Sequence, residues 1–515
     1  MSESATVEAA ASEVPEKAKT PTWGIVVGVM LVALLEVLDT SIVNVALPHM
    51  MGSFGATPDQ ITWMVTSYLI STAIVMPLTG YLVNKFGRRI VVLVGVFGFL
   101  VASAACGLAW SLGSMVTFRF LQGGFGAVLV PISQSVLLDA FPKEKRAYAM
   151  SIWGLALMVA PVLGPVLGGY ITEHWSWPWI FYINIPLGII GLILMLDDVG
   201  GPAPQRSAST DWPGLIFLSV ALGAFQTLLD QGHTRDWYDS GFIWVMTWLA
   251  ASAFLLFITR ALSREHNIVD IRLFKDRNFL IGNLLMGGYA LGMYSTIVLW
   301  PLVAQDVFDY PADLAGWVLA PRGVVSAIMM MVVGVWIAPR VDSRWLICLG
   351  LCLSAFASSM MGRLFLGADI WALIIPGVIF GLAMAAAFSP MSTAAFETIS
   401  PDKGAEAAGL YNVMRTVGGS IGIAITSTLL VRREQVHWHH LGSHISETNP
   451  RLYDWLDHSN VKIDDNNAAI RLALEIYKHV QMNAFNDVFW FIATVFAVMA
   501  PLPFLFRRAK RTQAD

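Results

Sequence analysis

Apolar runs of roughly 20 residues, separated by short polar turns, recur along this chain from about residue 24 to residue 506. Each is long enough to cross a hydrocarbon core about 30 Å thick as an α-helix. Within such a core only helices or closed barrels satisfy their own backbone polar groups. A charged fraction of 13% and a mean hydropathy of +0.63 separate the chain from soluble domains, where about 25% of residues are charged. The expected fold class is therefore an all-α polytopic membrane protein. Fourteen transmembrane helices are expected, at about 24–46, 60–82, 90–110, 114–137, 147–170, 179–197, 211–230, 241–260, 279–302, 312–337, 344–366, 371–396, 408–430 and 484–506.

An even number of spans puts both termini on one side, and basic residues select it. One set of loops carries Lys85, Arg88 and Arg89, then Lys143, Lys145 and Arg146, then Arg260, Arg264, Arg272, Lys275 and Arg277, then Arg340 and Arg344. The alternate loops at 47–59, 111–113 and 171–178 contain no Lys or Arg. Both termini are expected to be cytoplasmic. The expected divisions are a disordered cytoplasmic tail at 1–20 and an N-terminal six-helix half at 21–197. A Gly/Pro/Ser-rich linker with two inserted helices follows at 198–265. A C-terminal six-helix half occupies 266–506, and a basic cytoplasmic tail ends the chain at 507–515. The segment 431–483 reads as a polar outer loop. Within it Ile470, Ala473, Leu474, Tyr477 and Val480 repeat at helical spacing, which predicts an amphipathic helix on the outer surface.

Two acids sit inside the first span, Glu36 and Asp39, one helical turn apart. No Lys or Arg lies between Lys19 and Lys85 to neutralise them locally. An acid at the centre of a membrane helix costs roughly 2.5–3.5 kcal/mol, so a chain that keeps one usually binds or carries charge with it. A purely structural reading, in which Asp39 hydrogen-bonds a neighbouring helix, stands beside that one.

Other chemistries lack their residues. The sequence has no GxxxxGK[ST] loop for ATP, no HExxH, and no Cys/His set at metal spacing among Cys106, Cys348 and Cys352. His437, His439, His440 and His444 cluster in the polar outer segment and read as solvated loop residues, with no metal assigned. Nothing indicates nucleic-acid binding or enzymatic activity. Trp175, Trp177 and Trp179 read as an interfacial belt.

Four motifs remain. Leu38–Pro48 contains Asp39 and Asn44. Gly80–Arg89 contains Gly80, Asn84, Gly87, Arg88 and Arg89, and Gly334 with Pro339–Arg344 echoes it later in the chain. Arg119-Phe-Leu-Gln122-Gly123 places a cation in the fourth span, where it either snorkels to the interface or joins the acids. Ala160-Pro161-Val-Leu-Gly164-Pro165-Val-Leu-Gly168-Gly169 aligns Ala160, Gly164 and Gly168 on one ridge that admits another helix very closely. Arg322 lies deep in the tenth span, and Arg415 near the start of the thirteenth reads as an interface anchor.

Together these motifs resemble the major facilitator superfamily, in its 14-helix drug:proton antiporter branch, and are most similar to EmrB-type multidrug efflux subunits. His174–Gly188 and Val269–Asn278 also look like EmrB-type sequence. The resemblance implies two six-helix halves plus two inserted helices, and export of hydrophobic or amphipathic compounds across the inner membrane in exchange for protons. It implies proton coupling at Asp39, Glu36 and Arg119, and a substrate path or gate at Asn44, Gln122 and Arg322. The antiporter motif would be Pro161, Gly164, Pro165, Gly168 and Gly169. The gating loop would be Gly80, Asn84, Gly87, Arg88 and Arg89, with Asn84 standing where the family pattern has Asp. No cofactor is expected beyond the proton gradient. Expected partners are hydrophobic small molecules, protons, the lipid bilayer, a periplasmic adaptor (an EmrA-type membrane fusion protein) and an outer-membrane channel of the TolC type. Export of one physiological metabolite or fatty acid is the alternative within transport, and a non-transporting scaffold or sensor the alternative outside it.

Overall fold

The computed structural model describes residues 23–142, 145–195, 211–263, 269–443 and 468–507. The expected tail at 1–20, the linker up to residue 210, most of the C-terminal basic tail and His444 lie outside the described residues. The elements are helices: α1 (Trp23–Phe54), α2 (Pro58–Val75), α3 (Thr79–Phe86), α4 (Arg88–Gly107), α5 (Leu112–Gly126), α6 (Leu129–Ala140), α7 (Arg146–His174), α8 (Trp179–Tyr182) and α9 (Asn184–Met195). Then come α10 (Trp212–Gly232), α11 (Gly241–Ser263), α12 (Arg277–Leu302), α13 (Ala312–Val332), α14 (Ser343–Met361), α15 (Trp371–Phe396), α16 (Gly404–Gly442) and α17 (Ala468–Met499). Among the described residues there is no strand.

Thirteen of the resulting helical stretches are long and apolar enough to cross a membrane. The shorter apolar stretch Trp179–Met195 occupies the sixth position, which gives the fourteen spans expected from hydropathy. Capping residues explain several starts. Thr57 and Gln60 form a reciprocal capping box before α2, Ser111 and Ser114 do so before α5, and Asp276 accepts from Phe279 N at the head of α12. Gly87 turns the chain between α3 and α4 at φ 84°, a conformation that favours glycine.

The first six spans pack together through α1 with α7 and α9, α2 with α5, and α4 with α5. The last six pack through α12 with α16, α14 with α15, and α16 with α17. The inserted pair α10 and α11 pack on each other, and α10 also touches both α2 and α16. Gln226 donates to Ser420 (3.1 Å) and Trp237 to Thr428 (2.9 Å), while Thr66 bonds Asp230.

The repeated glycine motif is visible in space. A Cβ on Gly80 would stand 2.5 Å from Glu406 Cα, and one on Gly334 would stand 2.5 Å from Ser151 Cβ. Each glycine thus lets its helix press on the opposite half, at the side where α1 begins (hereafter the terminal side).

The described ends of the 431–483 segment are both helical, 470–480 as expected and 431–442 where a loop was expected, and residues 444–467 lie outside the described residues. α16 runs on through His437, His439 and His440 to Gly442, and the last span begins at Ala468 as part of α17. The reason is that leaving the membrane does not stop a helix. Residues 431–441 contain no Gly or Pro to end it, and α16 extends by one bond per residue. The two extensions hold each other at their base. Asp487 accepts from His437 (2.8 Å) and pairs with Arg433 (3.3 Å), and Trp438 meets Tyr477 edge-on, while Lys478 pairs outside them with Asp309 in the turn before α13. Of the expected apolar stripe, Val480 is buried, whereas Ile470, Leu474 and Tyr477 are exposed.

Candidate functional site

Asp39 lies midway along α1 and is fully buried. Its Oδ2 accepts from Arg119 Nη1 at 2.6 Å. Its Oδ1 accepts from Gln122 Nε2 and Asn184 Nδ2, each at 2.9 Å. Gln122 Oε1 also accepts from Arg119 Nη1 at 2.8 Å, and Asn184 donates a further bond to Ser103 (3.0 Å). The guanidinium stacks 4.3 Å above the Tyr68 ring. Arg119 and Gln122 sit at i and i+3 on α5, so one helical face presents both donors to α1. Removing either partner of such a desolvated pair strands the other, at a cost of about 3–5 kcal/mol. The snorkelling alternative for Arg119 does not hold, because its side chain is 1% exposed and points inward.

Asn184, Tyr68 and Ser103 were not singled out from sequence. Asn184 had a signal: it is a polar residue opening an apolar run, within the Trp-rich motif that ends at Gly188.

Glu36, one turn earlier on α1, is also buried, and the charge of Arg415 acts on it across the boundary between the halves. Arg415 is not an interface anchor. It is 2% exposed, and it donates to Tyr294 Oη (2.9 Å) and Asn412 Oδ1 (3.2 Å). Asn412 donates to Gln134 Oε1 (2.7 Å), and Gln134 donates to Ser392 Oγ (3.0 Å). Ser151 and Ser389 meet at 2.8 Å beside them. The bonds Asn412–Gln134, Gln134–Ser392 and Ser151–Ser389 join the first and last six spans in the half of the molecule nearer the terminal side.

The antiporter-motif residues lie on α7 along α1. Ser41 Oγ donates to Ala160 O at 3.3 Å. A Cβ on Gly164 would stand 2.7 Å from Ser41 Cβ, and one on Gly168 2.9 Å from Ile42 O. The ridge of small residues is therefore what allows α1 its position. Gly169 is not part of it, since a Cβ there would meet nothing within 4 Å. Pro161 and Pro165 lie inside α7, which continues unbroken.

In the gating loop Arg88 is buried and donates to Asp139 Oδ2 (2.5 Å) and Ser135 Oγ (3.1 Å). Asn84 and Arg89 are exposed. Asn44 is also exposed, and it makes no hydrogen bond among the described residues. Arg322 is distant from this cluster, buried in the last six spans against Phe380 and Met384. Among the described residues, no group of three His, Cys, Asp or Glu could hold a metal ion.

The fold and the buried ionic cluster between spans define a polytopic transporter, and the chain belongs to the Major Facilitator Superfamily, whose profile matches residues 29–423. Within the superfamily it is similar to multidrug export protein EmrB of Escherichia coli strain K12, at 34% identity over 92% of this chain and 93% of that one. It is equally similar to fatty acid resistance protein FarB of Neisseria gonorrhoeae, at 34% identity over 95% of this chain and 97% of that one. Solved structures of the same fold include the human organic anion transporter MFSD10 (14% identity, TM-score 0.61, 95% of this chain and 100% of that one). Another is the proton:xylose symporter XylE (14% identity, TM-score 0.59, 94% of this chain and 99% of that one).

Proposed function

We propose that the chain is a proton-coupled antiporter that exports hydrophobic and amphipathic compounds across the inner membrane, with both termini in the cytoplasm and the proton gradient as its only energy source. The observation that carries this reading is the fully buried Asp39, held by Arg119, Gln122 and Asn184. Similarity to EmrB exporters supports the direction and the substrate range.

Asp39 is the proton carrier in this reading. A proton on its carboxylate removes the charge that holds Arg119. Arg119 is then buried and unpaired, a state costly enough to drive rearrangement. Proton binding and helix movement are thereby linked, and the substrate acts by binding one arrangement better than the other. Each proton charge crossing inward gains about 2.3 kcal/mol per 100 mV. Glu36 senses the opposite half through Arg415, whose bonds lead by Asn412 and Gln134 to Ser392 near the terminal side. In a host with two membranes, the helical pair formed by 431–442 and 468–483 is the outer feature suited to an EmrA-type adaptor and, through it, a TolC-type channel. Export of a fatty acid is the second reading, favoured by the similarity to FarB.

Drug-dependent proton release in everted vesicles tests the mechanism. Asp39→Asn is expected to abolish it while the purified protein still binds drug, because Asn preserves the shape and cannot ionise. Glu36→Gln is expected to be milder. Normal proton release by Asp39→Asn would overturn the assignment and move it to Glu36.

A further inference from the structure

Two arginines lie fully inside the membrane-spanning body of this protein with an aromatic face at the same distance, and only one of them has an acid. Arg119 stacks on Tyr68 at 4.3 Å and pairs with Asp39. Arg322 stacks on Phe380 at 4.3 Å, and no ion pair includes it among the described residues. Its only other polar approach is Nη2 to the Met384 sulfur at 3.8 Å, a weak acceptor. A guanidinium does not lose its proton in proteins, so the side chain is a permanent cation, 7% exposed.

The surroundings of Arg322 offer further donors and no carboxylate. The Trp300 indole Nε1 and the Ser326 hydroxyl are buried and bond to nothing among the described residues. Both lie close to the main chain and stem of Arg322. A Cβ built on Gly377 would stand 3.7 Å from Arg322 Cβ and 3.8 Å from Trp300 Nε1, and nothing lies nearer to it. Ser326 is one turn beyond Arg322 on α13, facing the same helix, because a Cβ on Gly381 would meet Arg322 O at 2.5 Å and Ser326 N at 3.3 Å. Phe380, Met384 and Trp300 supply apolar walls. Buried polar groups are bonded as a rule, so two buried donors without a partner among the described residues, beside a cation whose hydrogen-bond acceptor is a thioether sulfur, point to an acceptor that arrives from outside the chain.

We propose that Arg322, with Trp300 and Ser326, forms a binding site in the last six spans for the carboxylate of an amphipathic monoanion, a single acidic group on an apolar tail. The proposal rests on the export reading and names a substrate class within it. Depth excludes a phospholipid headgroup as the occupant. Arg322 lies eight residues inside the span Leu314–Ile337, about 12 Å along the helix. A carboxylate carried there by its own tail leaves no headgroup behind. Bidentate pairing with guanidinium is the geometry a carboxylate prefers. The indole N–H and hydroxyl complete its shell, and the surrounding rings and methionine accept the tail.

The test uses the purified full-length protein in phosphatidylcholine nanodiscs, with radiolabelled dodecanoate and uncharged dodecanol as probes and empty nanodiscs as the blank. The native protein is expected to bind dodecanoate at least tenfold more tightly than dodecanol. Arg322→Gln should bring that ratio to within twofold, Arg322→Lys should keep part of it, and Trp300→Phe, which removes the indole N–H together with its five-membered ring and keeps an aromatic wall, should lower it by a smaller factor. The lysine and Trp300 variants carry the test if the glutamine variant does not fold. A native ratio near one would overturn the proposal, as would a ratio unchanged in Arg322→Gln. Loss of dodecanoate binding when phosphatidylglycerol is added would assign the site to lipid and overturn it as well. No gradient is present, so a failure of proton coupling at Asp39 leaves these ratios untouched, and a failure here leaves proton coupling untouched.

Discussion

Replacing Gly164 by alanine inserts one methyl group where α7 crosses α1, 2.7 Å from Ser41 Cβ and 3.1 Å from Ile42 N. Ordinary contact begins at 3.4 Å. Turning the Ser41 hydroxyl aside does not create that space, because a Cβ and a backbone nitrogen remain in the way. Close-packed helices transmit such strain, so α1 must retreat by roughly 0.5–1 Å. Overpacking of this kind costs about 1–3 kcal/mol of stability. Asp39, two residues before Ser41, moves with its helix. Its bonds to Arg119 and Gln122 now measure 2.6 and 2.9 Å, and such a displacement carries them toward or beyond the limit of about 3.2 Å. A hydrogen bond to a charged group contributes about 1.5–3 kcal/mol, and about 1.4 kcal/mol is a factor of ten. Drug-driven proton release by Gly164→Ala is therefore expected to fall about tenfold or more. The assay is dye-reported proton release in proteoliposomes at matched protein content, with thermal unfolding of each variant alongside. Gly168→Ala, whose methyl would stand 2.9 Å from Ile42 O, should lose less. Gly169→Ala, with nothing within 4 Å, should stay within about twofold of the native protein. Equal damage at Gly164 and Gly169, or a normal Gly164→Ala, would refute the idea that this crossing positions Asp39.

Asp139→Asn strands the buried Arg88 beside a weaker acceptor and should lower stability by about 1.5–3 kcal/mol, read as an earlier thermal transition in detergent, with partial recovery in Asp139→Glu; an unchanged transition would show the pair to be idle. A single cysteine at exposed Arg340 should be protected from an impermeant thiol reagent in intact cells, and one at exposed Glu475 should react; the reverse pattern would invert the proposed orientation. Replacing residues 438–477 by a short flexible linker should abolish drug resistance in a two-membrane host while purified protein still binds drug, and unchanged resistance would remove the helical pair from any adaptor contact.

Much of this molecule was legible in its sequence because a hydrocarbon solvent imposes simple rules. Apolar length announced the spans, and an acid without a local partner announced Asp39. The spacing of Ala160, Gly164 and Gly168 announced a close crossing, although nothing local said that α1 was the helix that crosses there. What stayed hidden involves long separation in the chain. Asp39 meets Arg119 across 80 residues and Asn184 across 145, and hydropathy carries no information about which helix lies beside which. Arg415 was misplaced for a different reason. Its span begins at Gly404, before the hydropathy rises, so the arginine sits about 16 Å inside the helix instead of at its edge. The helix at 431–442 was not expected, because falling hydropathy marks the end of the membrane and not the end of a helix.

The two acids of α1 acquire different meanings once the helices are placed. They are one turn apart and belong to one rigid element, yet Asp39 is held wholly within the first six spans, while the cation that acts on Glu36 comes from the last six. In the proposed mechanism, a change of charge at Asp39 releases α1 from Arg119, Gln122 and Asn184. Any rotation or shift of α1 that follows is imposed on Glu36 by the helix itself. Arg415, whose charge acts on Glu36, is bonded through Asn412 and Gln134 to Ser392, where the halves are joined. An acid at only one of these positions would either carry a proton without telling the other half or bind the other half without a proton to report. The glycine ridge of α7 belongs to the same device, because a helix that must shift against its neighbour needs a contact surface without side chains to interlock.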